Sequence, residues 1–336
     1  MDGSGVRLSE YARSANSALT SPDRSTVAVV RREDVELRAR TTVRLAARAT
    51  TRSAFTTDSR FLLLNDEERV LRVFAVAGGR LVREIPKVDF AEWHASGSTL
   101  LYRRRGTCEV YEHDLDDGSE RLLPARVCER VIGVHARPSS LLAGEPAQAI
   151  GHFQAFFRVD PRTDRRTRLV GLDAATRWLF RPVASRALDR LCFLANRATL
   201  RCVDAATTRQ VELAPLVTGH SQRLDETGRR ALFLISDRPG APEHLFIADA
   251  TTGESRRLLE SNHEWWTFLP GNQRVVGHGG EQGFVVADLV EGWFMELGER
   301  GKEYEDVGIV PGDPSRFFIG RERDATRDIY LVELGR

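Results

Sequence analysis

The sequence predicts an all-β chain made of repeated units, each of four short antiparallel strands. Three observations lead to this class. Short apolar runs rich in Val, Ile, Leu and Phe, such as "RALFLIS" and "EHLFIADA", are bounded by Gly, Pro, Asp and Ser, which is how strands between tight turns read. A strand, an acidic turn and a second strand recur as "EVYEHDLDDGSERLLPA" from 109, "AFFRVDPRTDRRTRLVG" from 155, "TLRCVDAATTRQVELAP" from 199, "HLFIADATTGESRRLLE" from 244 and "GFVVADLVEGWFMELGE" from 283. No stretch sustains the apolar spacing of an amphipathic helix.

The acids of those copies are Asp114, Asp160, Asp204, Asp249 and Asp288, and "DIYLVELGR" puts Glu333 in the same slot; the gaps are 46, 44, 45, 39 and 45 residues. A period of that size marks a repeat architecture. An Asp just before a tight turn accepts hydrogen bonds from the turn itself, so these acids are expected to shape turns rather than to ring a cation.

Taken in order, the units are marked by a second recurring feature, a turn followed by an apolar run. It reads "TSPDRSTVAVV" from 20, "TTDSRFLLLN" from 56, "HASGSTLLYR" from 94, "HARPSSLLAG" from 135, "RPVASRALDRLCFLA" from 181, "LDETGRRALFLIS" from 224, "LPGNQRVVGHG" from 269 and "VPGDPSRFFIG" from 310. That gives eight units, with seven as the alternative if the weak first unit, "VELRARTTVRLAARAT", packs irregularly. In the sixth unit "HSQRL" is the innermost strand, followed by "RALFLIS", "EHLFIADA" and "SRRLLE". The last unit stops after its third strand, "DIYLVEL", and residues 6–12, "VRLSEYA", are expected to supply its missing outer strand. A four-stranded sheet cannot bury both faces alone, so the units must stack, and a radial stack removes exposed ends. The expected structure is a β-propeller of four-stranded antiparallel blades, one domain over residues 1–336, closed by the N-terminal strand.

The pattern "SPDRSTVAVV" with "HLFIADATTGESRRLLE" resembles the repeats of TolB-like and WD40-like bacterial β-propellers over nearly the whole chain. It departs from WD40 repeats because no Trp-Asp pair ends a third strand and only Gly219–His220 echoes their opening. The resemblance implies a fold and no particular activity.

Composition sets the remaining bounds. With 41% hydrophobic and 29% charged residues the chain is that of a globular protein, and 49 basic against 48 acidic groups leave no field to draw in nucleic acid or an anionic membrane. All basic residues but Lys87 and Lys302 are arginine, which suits carboxylate-rich partners. No apolar run approaches the length of a membrane span and no signal peptide is evident, so a cytoplasmic location is expected. There the four cysteines should stay reduced, although Cys192 and Cys202 flank a turn that brings their strands close. No CxxC, P-loop, dinucleotide fingerprint or G-x-S-x-G is present, and no cofactor is expected.

Aromatic and arginine side chains near the innermost strands are the candidate site: Trp93, His94, His135, Arg181, Arg223, Trp265 and Trp266. Such residues are enriched at interface hot spots. His94 and His135 occupy matching positions in neighbouring units but lack further ligands in the matching slots. Trp93, Trp178 with Phe180, and Trp266 with Phe268 are expected to fill the wedges between blades, while Trp265 must point opposite to Trp266. With no catalytic constellation, the expected function is a non-catalytic scaffold, a monomeric ring within a multi-protein complex that binds an acidic or apolar protein or peptide at its channel mouth. The alternatives are a channel-sited hydrolase or lyase, and a small-ligand sensor domain of a larger assembly.

Overall fold

The computed structural model describes residues 7–15, 17–31, 34–45, 50–66, 68–93, 97–136, 139–148, 151–185, 190–196, 199–215, 222–236, 242–261, 263, 265–278, 283–298, 304–323 and 326–335. These residues form strands and turns with a single short 3-10 turn at Ala77–Gly79 and no α-helix. After β1 (Arg7–Ala15), the strands fall into groups of four along the chain. They are β2–β5 (Ser17–Thr20, Val27–Val30, Val35–Arg38, Thr42–Leu45), β6–β9 (Thr50–Phe55, Phe61–Asp66, Leu71–Ala75, Leu81–Ile85) and β10–β13 (Val88–Trp93, Thr99–Arg104, Glu109–Asp114, Glu120–Arg126). Then come β14–β17 (Arg130–Ala136, Ser139–Pro146, His152–Val159, Arg166–Gly171), β18–β21 (Leu179–Ser185, Arg190–Ala195, Thr199–Asp204, Gln210–Ala214) and β22–β25 (Arg223–Leu224, Arg230–Ser236, Glu243–Asp249, Ser255–Ser261). The last are β26–β29 (Trp265–Phe268, Arg274–His278, Phe284–Asp288, Phe294–Leu297) and β30–β32 (Tyr304–Ile309, Arg316–Arg323, Thr326–Glu333).

Each group pairs in chain order, antiparallel throughout, and β1 is the fourth strand of the sheet β1-β32-β31-β30. The weak first unit forms a regular sheet, β2–β5. One departure from the sequence expectation is that β14–β17 and β18–β21 share one eight-stranded sheet. His152 and Phe153, at the start of β16, pair with Phe180 and Leu179 of β18 before β16 goes on to pair with β17.

The apolar content of each strand follows its place in the group. Second and third strands are sandwiched between sheets and buried on both faces, as in "FLLLND" (β7), "RLCFLA" (β19) and "FVVAD" (β28). Fourth strands lie at the edge and are largely exposed, as in "LVREI" (β9) and "FMEL" (β29).

The chain divides into two compact units, Met1–Ser98 with Leu115–Asp117 and Leu269–Arg336, and Thr99–Asp114 with Gly118–Phe268. In the first, Val30, Val35 and Leu37 pack on Leu62, Leu64 and Phe74 of the next sheet, and Ala12 and Ala15 of β1 join Val29, Phe318 and Ile329. In the second, Leu194, Leu200 and Leu213 pack on Ala231, Phe233 and Ala248.

The repeat is also a repeat of hydrogen bonds. Between first and second strands, Ser21, Thr56, Asp225 and Leu269 each donate an N–H to the carbonyl five residues on and accept one from the residue three on. That third residue has positive φ: Arg24 at 63°, Ser59 at 63°, Gly228 at 68° and Asn272 at 58°. The acids before the later turns behave as expected. Ala206 and Thr207 N–H donate to Asp204 Oδ1 at 2.9 Å, Val290 and Glu291 to Asp288 Oδ1 at 2.9 Å, Thr251 and Thr252 to Asp249 Oδ1 at 2.7 and 3.1 Å, and Arg162 to Asp160 Oδ1 at 2.9 Å.

The cysteines overturn an expectation. Cys192 and Cys202 face each other across β19 and β20 and are disulfide-bonded, and Cys108 is bonded to Cys128. The second pair meets because Cys108 and Cys128 flank the hairpin of β12 and β13, where Glu109 pairs with Arg126 and Val127 N–H donates to the Cys108 carbonyl at 2.7 Å. With every cysteine paired, reduced thiols no longer support a cytoplasmic location. No helix among the described residues is long and apolar enough to cross a membrane.

Candidate ligand site at the start of the inner strands

The strands β18, β22 and β26, all in the second unit, are the first strands of their groups and lie side by side. Four antiparallel strands return the chain to the end where the group began, so all three inner strands start at the same end. That geometry gathers Arg181, Arg223 and Trp265, three of the candidate residues, although about 40 residues separate each from the next.

Arg181 sits at an irregularity in β18, where the register with β19 shifts between Phe180 and Val183, and its φ is 50°. A non-glycine residue in that region, immediately before a proline, is held there by its surroundings. Its carbonyl oxygen accepts a hydrogen bond from Gln222 Nε2. Gln222 is 5% exposed, and its Oε1 is a buried acceptor with no hydrogen-bond partner among the described residues. Such an atom is costly to leave unmet.

Arg223 follows on β22. Its Nη1 donates to the Gln222 carbonyl at 3.0 Å, and its guanidinium lies 5.8 Å from the Trp265 ring centroid. Burial holds its pKa below the ordinary arginine value, and no carboxylate among the described residues pairs with it. A desolvated cation stacked on an aromatic ring, with no counter-ion among the described residues, contrasts with the buried Arg190, which pairs with Asp204 at 3.5 Å. The arrangement is suited to an anion, with planar bidentate geometry for a carboxylate.

Trp265 is half-buried and Trp266 is 1% exposed, its Nε1 donating to Ser261 Oγ at 3.0 Å and its ring edge-on to His263. Trp266 and Phe268 thus fill core positions, as expected. Trp178 does not: it is 44% exposed. The loop before β18 carries it to the surface instead of into a wedge. The strand β10 ends at Trp93 and β14 contains His135 opposite Ser140, but the side chains of both, and all of His94, lie outside the described residues. Sequence reasoning missed Gln222, whose one signal is a long polar side chain opening an inner strand.

No protein-family model matches the chain, and no curated protein matches its sequence. Solved structures do. An oligogalacturonate lyase in complex with manganese is 13% identical, with a TM-score of 0.61 over 98% of this chain and 91% of that one. The oligogalacturonate lyase of Vibrio parahaemolyticus is 10% identical, with a TM-score of 0.63 over 97% and 98%. The WD40 domain of SCAP from fission yeast is 9% identical, with a TM-score of 0.64 over 99% of each chain. The fold is therefore a β-propeller. These neighbours correct the expectation of a non-catalytic scaffold: the architecture is shared with enzymes as well as with WD40 domains, so the fold does not single out a scaffold. The described residues contain no group of three or more His, Cys, Asp or Glu able to hold a metal ion, so no manganese ligand is assigned among them.

Proposed function

We propose that the chain is a lyase acting on an acidic oligosaccharide, with its site at the start of β18, β22 and β26. The likeness to oligogalacturonate lyases supplies the fold. The observation that carries the chemistry is Arg223, a desolvated guanidinium on Trp265 with no carboxylate partner among the described residues. Elimination from a uronate removes the proton next to the carboxyl group and expels the glycosidic oxygen across the C4–C5 bond. The difficulty is negative charge building on the carboxylate as the proton leaves. A preorganised guanidinium in a dry setting stabilises that charge, while the Trp265 ring offers an apolar face to the sugar. The finer architecture belongs to the same reading: TolB-like repeats in eight blades, the last completed by β1.

The test is incubation with oligogalacturonides and other uronate oligomers while following the ultraviolet absorbance of the unsaturated product. Arg223→Ala should lower kcat/KM by on the order of 10²-fold or more, the usual loss for one charge-stabilising donor. Arg223→Lys should recover only part of it, because the fork is lost. If no uronate oligomer yields an unsaturated product, the lyase reading is wrong.

A further inference from the structure

We infer that Trp178 and Arg177 form a second sugar-binding platform beside the Arg223 site, one that holds a further uronate of the same chain. The inference rests on the acidic-oligosaccharide reading above and extends it. Its starting point is a tryptophan that the sequence pattern places in the core and the structure places at the surface, 44% exposed.

That exposure is not the slack of a loose loop. Ala175 and Thr176 N–H donate to Asp173 Oδ1 at 2.9 and 2.6 Å, and Asp173 N–H donates to the Thr176 carbonyl at 3.1 Å. Asn196 grips the next stretch from the end of β19. Its Oδ1 accepts from Arg177 N–H at 2.8 Å, its Nδ2 donates to the Ala175 carbonyl at 2.6 Å, and its own N–H donates to the Trp178 carbonyl at 2.9 Å. Asn196 does this at φ 54°, a conformation that asparagine tolerates better than most residues. Arg201 Nη1 adds a bond to Thr176 Oγ1 at 3.3 Å. The indole packs against the His152 ring, centroids 5.3 Å apart and planes at 58°. His152 is held in turn by the pairing of β16 with β18 that joins the eight-stranded sheet. The loop therefore presents a large apolar ring in a fixed position, which lowers the ordering cost of binding.

Charge selects the occupant. Arg177 is exposed and makes no ion pair among the described residues, its recorded bond running through its backbone N–H. Trp178 immediately precedes β18, whose start lies at the same end as the starts of β22 and β26. An oligosaccharide crossing those three starts meets Trp178 and Arg177 first, then Arg223 and Trp265. A ring to stack on and a guanidinium to pair with are the same two features at both places, and together they fit a uronate rather than a neutral sugar.

The experiment compares Trp178→Ala and Arg177→Gln with the unaltered protein, using oligogalacturonides from dimer to octamer and a neutral galacto-oligosaccharide as control. Binding is followed by intrinsic fluorescence and calorimetry, and turnover by the unsaturated product. Both variants are expected to bind and process the shortest productive oligomer normally and to lose about tenfold in affinity for long ones, with Arg177→Gln also weakening the salt dependence. Trp178→Phe should restore part of the loss. An equal loss at every chain length marks a structural role and overturns the inference, as does no loss at any length. Length-dependent binding without turnover upholds the platform and sinks the lyase reading. Failure of the unaltered protein to bind any uronate oligomer removes both.

Discussion

Two adjacent tryptophans show how finely side-chain fate is set at the residue scale. Trp266 is fully buried with its indole N–H satisfied by Ser261, while Trp265 turns the other way to meet Arg223. Their divergence was legible in the sequence, since neighbours on a strand face opposite sides, and so was the core role of Trp266, which shares a face with the buried Phe268. Truncating Trp266 to Ala should cost about 3–5 kcal/mol, the range for a large buried aromatic. Truncating Trp265 should cost about 1 kcal/mol. Urea unfolding measures both, and similar losses would show that Trp265 is core after all. Trp178 was misread because the sequence gives the alternation of a strand but not its first residue. The loop hydrogen bonds to Asp173 and Asn196 decide that. Cys192 and Cys202 were seen to be close, whereas Cys108 and Cys128 were missed although they flank the strand–turn–strand unit that forms β12 and β13.

Among the elements, the second and third strands of each group were the easiest to foresee, because burial on both faces leaves a continuous apolar signature. The pairing of β1 with β32 was also legible, from one unpaired segment near the N-terminus and one missing strand at the other end. Its extent was not: β1 reaches Ala15, and Ala12 and Ala15 are buried beside Phe318 and Ile329. Removing residues 1–15 should therefore destabilise by several kcal/mol. At about 2–4 °C per kcal/mol for a chain of this size class, calorimetry should find Tm lower by roughly 6 °C or more. A change of only a degree or two would mean that β1 adds little. The junction of β16 and β18 was beyond sequence reading, since it depends on lateral pairing of two residues rather than on any run or turn.

For the molecule as a whole, the fold was legible, while of the site only Arg181, Arg223 and Trp265 were picked out and their grouping was not, for one physical reason. A repeat announces itself at a constant spacing, whereas Arg181, Gln222, Arg223 and Trp265 come together only because successive inner strands begin at the same end. The repeat has a measurable pH consequence. At Asp160, Asp204 and Asp288 partial burial pushes the carboxyl up, but hydrogen bonds from the turns outweigh it and the net shift is downward. At Asp249 the Thr251 hydroxyl leads a shift in the same direction. A carboxyl depressed in the folded state stabilises above its unfolded value, about 3.9, and that contribution is lost as pH falls through the folded value. Stability should be nearly level from about pH 5 to 7 on this account and fall in steps of acidification below about pH 4. Replacing Asp160, Asp204, Asp249 and Asp288 together by Asn should flatten that acid limb; an unchanged limb would place the titrating groups elsewhere.

The pairing of β1 with β32 also bears on how the chain is made. Translation delivers β1 long before β32, so for most of synthesis the leading strand has no partner and its backbone donors and acceptors stand open. At about 5–20 residues per second, more than 300 residues separate the two, an interval of roughly 15 to 60 seconds. Throughout it, Arg7–Ala15 is an unclaimed edge that a chaperone can shield or a protease can trim, and the last sheet is completed only once β32 has emerged.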